Sequence, residues 1–188
     1  MTFDWIELQR TAHREFGDRV EAVVDWSAPT PDTEWNVTQL IRHVIVEQQW
    51  IPALLSGKSL TEAEADVVPL HGDMRAEWRR YSDAATEAWA KADPKAPVQL
   101  SFGTVDTEFY LRQQTTDVAI HTWDLARATG TDEKLDTTLV EAVWADLNGQ
   151  RDMLAASGLF AAPVAVPEDA SLQDKLIALT GRDPGPVQ

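Results

Sequence analysis

Residues 106–130 read DTEFYLRQQTTDVAIHTWDLARATG. Within this stretch Leu111, Gln114, Val118, His121 and Leu125 recur at three- and four-residue spacing, the period of one helix face. Gly130 follows as a natural left-handed C-cap, so a helix is expected from about Asp106 to Thr129. The same period extends toward the N-terminus. Trp5, Leu8, Ala12, Phe16, Val20 and Val23 form an apolar stripe, which Pro29 and Pro31 stop because a helix interior cannot accommodate two prolines so close together. Asn36 and Gln39 are spaced as a capping pair for a second helix running to about Trp50, with Pro52 kinking or ending it. Met74, Trp78, Tyr81, Ala85 and Ala88 mark a third helix, closed by Asp93-Pro94-Lys-Ala-Pro97. A short extended piece from Val98 to Phe102 turns at Gly103. Thr138 with Glu141 predicts a further helix over roughly Leu139 to Ala156, and Ser171 with Asp174 a short one through Leu179. The apolar, proline-rich run from Phe160 to Pro167 is expected to pack as an extended strap. The pattern is all-α: one domain over residues 1–188, a four-helix bundle with long crossover loops and a short C-terminal helical tail.

Composition narrows the function. A chain of 188 residues can bury a substantial core, roughly 70% of its unfolded surface. Sixteen Lys and Arg stand against 31 Asp and Glu, a net charge of −15 with no basic cluster. Binding to nucleic acid or to anionic lipid relies on cations displacing counterions, so neither partner is expected. The absence of cysteine rules out a disulfide, a thiolate metal site and a cysteine nucleophile. No apolar run approaches the ~20 residues that span a bilayer, and the N-terminus lacks the apolar core of a secretion signal. A cytoplasmic protein is expected.

Chemistry is sought first among the four histidines. His13 falls one step off the apolar stripe and reads as a solvated surface residue, and His71 as part of a helix entry. His121 lies on the inward row of its helix, with Asp117 one turn before it, about 5–6 Å away at Cβ. A carboxylate and an imidazole at that spacing can chelate one divalent ion, with a third ligand supplied by a facing helix. They can equally form a simple hydrogen bond, or Asp117 can pair with Arg112 or Arg127. His43, at the flank of the second helix, carries Glu47 one turn on. Glu47 is a candidate acid–base group, a hydrogen-bond partner of a ligand, or a surface carboxylate. The E-x-x-H pattern of di-iron bundles is absent, as are G-x-S-x-G, H-E-x-x-H and any glycine-rich phosphate loop. Histidine and carboxylate donors suit zinc, nickel, iron or manganese alike. Trp5, Trp78 and Trp123 sit where a bundle core needs volume, and Trp50 near a pocket mouth.

Two phrases carry a resemblance: Trp35-Asn-Val-Thr-Gln-Leu-Ile-Arg-His43, and Asp117-Val-Ala-Ile-His121-Thr-Trp-Asp-Leu-Ala126 continuing to Gly130. They resemble the DinB-like superfamily, and within it the metal-binding N-terminal domain family of mycothiol-dependent maleylpyruvate isomerase. The segment from Pro163 to Arg182, with its closing Leu-Thr-Gly-Arg-Asp-Pro, is similar to the tail of a stand-alone subgroup. The resemblance implies a four-helix bundle holding one divalent metal, zinc or nickel, on His43, Asp117 and His121. It implies mycothiol or another small thiol as cosubstrate, an electrophilic small molecule as substrate, and a transferase or isomerase reaction. The isomerase itself carries glutamate where Asp117 stands, and a further C-terminal domain. A non-catalytic metal-binding or interaction protein of the same fold is the alternative. An apolar stripe left over on the first or third helix would serve a homodimer.

Overall fold

The computed structural model describes residues 2–32, 34–150 and 160–186. Its elements are α1 (Trp5–Ala22), α2 (Val37–Leu55), α3 (Leu60–Ala65), α4 (Met74–Trp89), β1 (Pro97–Leu100), β2 (Gly103–Asp106), α5 (Thr107–Thr129), α6 (Thr137–Asn148) and α7 (Leu172–Leu179). No described helix is long and apolar enough to cross a membrane.

Each long helix starts where a side chain can satisfy its free N–H groups. Asp4 accepts from the amides of Ile6 and Glu7. Asn36 and Gln39 form the expected capping box of α2, and Asp106 accepts from the Phe109 amide. The cap of α6 is Asp136 rather than the Thr138–Glu141 pair read from the sequence, because its carboxylate reaches the Leu139 amide. Beyond Gln150 the helix expected to reach Ala156 lies outside the described residues. Ser171 caps α7 as expected, accepting from the Asp174 amide.

Three local readings change. The second helix runs through Pro52 to Leu55, because continuing it buries Ile51 and Leu54; that burial outweighs the hydrogen bond the proline cannot make. The extended piece before the fifth helix is one arm of a hairpin, with β1 antiparallel to β2 and Leu100 opposite Gly103. Between the second and third expected helices stands α3, with its own capping box of Ser59 and Glu62.

The four long helices close a ring. Helix α1 packs on α4 and α5, and α2 packs on the same two from the other side. Phe16 and Val20 of α1, Leu40, Ile41 and Ile45 of α2, Trp78 and Trp89 of α4, and Val118 and Ile120 of α5 fill the interior. Helix α6 lies outside this ring against α1, α5 and α7. The strap from Phe160 to Pro167 joins that outer layer, where the Val164 amide donates to the Ala178 carbonyl. As a result α5 is covered on both sides. Several of its polar residues are buried as well, and Thr115 and Thr122 turn their hydroxyls back onto the carbonyls of Leu111 and Val118.

His13 is a correction to the surface reading: it is buried between α1 and α4. Its Nδ1 lies 2.9 Å from Gln9 Nε2, and its ring meets Trp78 edge-on at 5.1 Å. Burial lowers its pKa to about 4, against hydrogen bonds to Ser82 and Gln48 that favour the charged form. A histidine held neutral in the folded state and near 6.5 when unfolded contributes stability that is fully present above pH 6.5 and lost as pH falls toward 4. The advantage of the wild type over His13→Gln in urea unfolding should shrink between pH 7 and pH 4.5, by at most about 3 kcal/mol. An advantage independent of pH would show that His13 is solvated.

Candidate metal centre

Helix α2 carries His43 and Glu47 one turn apart, and α5 carries Asp117, His121 and Asp124 on successive turns. Where the two helices meet, one ligating atom from each of His43, Asp117 and His121 lies within 4.8 Å of the other two. Nε2 of His121 is 3.5 Å from Asp117 Oδ1, and Nε2 of His43 is 3.9 Å from Asp117 Oδ2. These gaps are too long for charge-assisted hydrogen bonds, which close to about 2.8 Å. They approach the ~3.3 Å between neighbouring donors around a tetrahedral ion with bonds near 2.0–2.1 Å. Asp117 Oδ2 is shielded from solvent and has no hydrogen-bond partner. Arg112 and Arg127, its alternative partners in the sequence, are engaged instead by Glu108 and Asp146 and by Glu133. Two imidazoles and a carboxylate with an unpartnered oxygen fit a divalent cation.

The histidines differ in how they are held. His121 is buried, and its Nδ1 lies 3.0 Å from Oδ2 of Asp124, whose side chain has no solvent exposure. With the Nδ1 edge of the ring turned to Asp124, Nε2 is the nitrogen that faces Asp117 and His43. Burial alone would discharge His121, yet Asp117 and Asp124 on its two sides outweigh it and raise the pKa to about 10. His43 is half-buried, its side chain 28% exposed. Burial lowers its pKa, helped by the neighbouring His121 and opposed by Asp117. Burial also works against charge on Asp117, but His121, His43 and Arg182 prevail and hold its carboxyl below the usual range. The exposed sides of His43 and Asp117 leave the trio open in one direction.

Glu47 borders that opening. Its Oε1 is 3.6 Å from His43 Nε2, and its Oε2 accepts from Gln114 Nε2 at 2.8 Å. Burial and the negative charge of Asp117 push it up to about 7, against Gln114 and His121. Trp35 covers the imidazoles from the loop before α2, with ring centres 4.4 Å from His43 and 5.6 Å from His121.

The three candidate ligands of the sequence reading thus lie together, with Glu47 beside them. His71 is exposed on the approach to α4. Trp5, Trp78 and Trp123 belong to the core as expected, and Trp50 packs at its margin with an unpartnered indole N–H. Three contributors escaped that reading: Trp35, Asp124 and Arg182. The first two stand inside the quoted phrases, and Arg182 inside the closing Leu-Thr-Gly-Arg-Asp-Pro, but nothing in their spacing says what they touch. A second acidic cluster, Asp32, His121 and Asp124, also has a ligand-like geometry. It already contains a cation, because the Arg182 guanidinium contacts both carboxylates.

The description "mycothiol maleylpyruvate isomerase N-terminal domain" belongs to the family whose sequence model matches residues 9–126, well over half of the chain. An uncharacterized protein of Mycobacterium tuberculosis, found in two strains, is 31% identical over 113 residues. The match covers 59% of this chain and 58% of the relative, so the chain spans little more than half the length of the curated relatives it matches. The fold is similar to that of mycothiol-dependent maleylpyruvate isomerase, with TM-score 0.63 and 16% identity, over 80% of this chain and 71% of that one. A crystal structure of a histidine-to-alanine mutant of the same enzyme gives 0.61 and 18%, over 76% and 68%. At these identities the likeness establishes the shared helical-bundle fold alone.

Trp35 should report on both imidazoles. Its removal in Trp35→Ala is expected to shift the ring-proton resonances of His43 and His121 downfield, as the indole ring current is lost. It should also lower stability by about 2 kcal/mol, less than a fully buried tryptophan. Unchanged histidine shifts would place the indole elsewhere.

Proposed function

We propose that this chain, which belongs to the mycothiol maleylpyruvate isomerase N-terminal domain family, holds one divalent ion, zinc or nickel, on His43, Asp117 and His121. The site would serve a transferase or isomerase reaction that depends on a low-molecular-weight thiol of the mycothiol type. The observation that carries this reading is the convergence of the three donor atoms within 4.8 Å across two helices. When bound, such an ion would supply the positive charge that keeps a coordinated thiol deprotonated near neutral pH. A chain without cysteine has to take its sulfur nucleophile from a small molecule.

Its own residues divide the remaining work. Asp124 keeps the His121 ring in one orientation. Trp35 covers the imidazole faces and excludes water from that side. His43 and Asp117, each partly exposed, leave the approach for a thiol and for an electrophilic small molecule. Glu47 borders that approach at 3.6 Å from His43, where a carboxylate can accept a hydrogen bond from an arriving S–H group.

Metal content after metal-free purification and reloading with zinc, nickel, manganese or iron tests the site. About one ion per wild-type chain is expected, with His43→Ala and Asp117→Ala each binding at least roughly tenfold more weakly. Failure of all four metals to bind would overturn the reading. Cobalt substitution then separates the two roles. A thiol-dependent change in the visible spectrum supports an open, catalytic position, and its absence identifies a closed site that only joins the helices.

A further inference from the structure

We propose that Arg182, on the C-terminal tail, is a positioning residue for the metal centre: its guanidinium fixes Asp124, and Asp124 in turn fixes the imidazole of His121. The inference rests on the reading of His43, Asp117 and His121 as ligands, and extends the site to a residue far outside the matched range 9–126.

The geometry is that of a fork closed on a carboxylate. Arg182 Nε donates to Asp124 Oδ1 at 3.1 Å and Nη2 to Asp124 Oδ2 at 2.8 Å. Asp124 Oδ2 also accepts from His121 Nδ1 at 3.0 Å. The other donors of Arg182 are used as well: Nη1 donates to the Thr180 carbonyl at 3.0 Å, and Nη2 reaches Asp32 Oδ2 at 3.3 Å. Asp32 belongs to the loop that carries Trp35 across both histidines. One side chain therefore orients the carboxylate behind His121 and anchors the loop that covers it.

The tail is built to deliver that side chain. Gly181 adopts φ +81°, a conformation that disfavours any residue with a Cβ, and a Cβ there would lie 2.6 Å from the Ala161 side chain. The chain turns back at this point and returns Arg182 to α5. A second arginine holds the tail without touching the site: Arg127 on α5 donates to the Gly185 carbonyl at 2.7 Å and pairs with Glu133. The two arginines allow the tail's attachment to be separated from its effect on His121.

Without Arg182, Asp124 would be a solvent-free carboxylate near Asp32 with only His121 to answer its charge, and it would turn away. That movement frees the His121 ring. Changing the partner behind a ligating histidine weakens metal binding 10–100-fold in general, and the same loss is expected here.

The experiment measures zinc dissociation constants by competition with a chromophoric chelator, on the full chain, with far-UV circular dichroism confirming the helices. Arg182→Gln and Arg182→Lys are both expected to bind about 10–100-fold more weakly, lysine restoring the charge but not the two-pronged contact. Adding Arg182→Gln to Asp124→Asn should cost less than about twofold further, because the two act through one another. Arg127→Gln should loosen the tail and lower the melting temperature while leaving zinc affinity within about twofold. Unchanged affinity in both Arg182 variants would overturn the proposal. An equal loss in Arg127→Gln would do the same, by reducing the effect to tail stability. If wild type binds none of zinc, nickel, manganese and iron, the metal reading itself fails. The hold on His121 is then read by NMR, as a slowly exchanging low-field Nδ1–H resonance that Arg182→Gln should abolish; its persistence would overturn the proposal on that arm.

Discussion

A carboxylate with no access to water has to find its counter-charge inside the protein, and Asp124 is such a carboxylate. Its two partners come from opposite directions in the chain. His121 is one turn before it on α5, and Arg182 arrives from the tail. Much of the outer layer follows from this requirement. Helix α6 and the tail lie against α5 outside the ring of long helices, with α7 and the strap packed behind them. The same cover removes Asp124 from solvent and brings in the arginine that neutralises it. Burial that would be unfavourable for either charge alone is satisfied for the pair by the two-pronged contact.

This arrangement makes the two sides of the candidate centre unequal. On the α5 side, His121 is buried and tied at Nδ1. On the α2 side, His43 has no hydrogen-bond partner within the trio and is restrained mainly by the indole stacked on it. Asp117 lies between them with one oxygen unpartnered. A rigid half and a looser, partly exposed half fit a site that must hold its geometry yet admit a ligand from solvent, because orientation comes from the bonded half and access from the open one. The packing of α2 and α5 in the ring is what sets the distance across the opening.

The sequence made the bundle legible because the long helices obey one period and begin at recognisable caps. Asn36 with Gln39 and Ser171 with Asp174 were readable as spacing alone. Pro52 misled because the rule against proline in helices is local, whereas the burial of Ile51 and Leu54 that overrides it is tertiary. The α3 helix had a visible Ser59–Glu62 box, but its six residues carry too little periodicity to register. His13 misled for a related reason. One step off a stripe means solvent only when a single face is covered, and α4 covers its flank. At the site, Asp117 and His121 were legible because both lie on one helix at a four-residue interval, and His43 entered through the resemblance. Asp124 is only three residues from His121, yet it reads as an ordinary charged residue until the tail is seen against it. Arg182 depends on a contact across 58 positions, and no periodicity encodes that.

The charges converging on this part of the bundle do not balance. Asp117, Asp124, Asp32 and Glu47 face two imidazoles and a single guanidinium. With neutral histidines the group is deficient in positive charge, inside a chain that is strongly acidic throughout. Protons are drawn toward it accordingly: His121 holds its proton up to about 10 and Glu47 up to about 7. Arg182 supplies a fixed cation on the buried side. On the open side the deficit can be met only by something that arrives and leaves, a proton or a bound cation. The donor atoms of His43, Asp117 and His121 are spaced too widely for a shared proton and closely enough for an ion. The proposed divalent metal would answer the same deficit as these protons, displacing them as its ligands bind in their deprotonated forms.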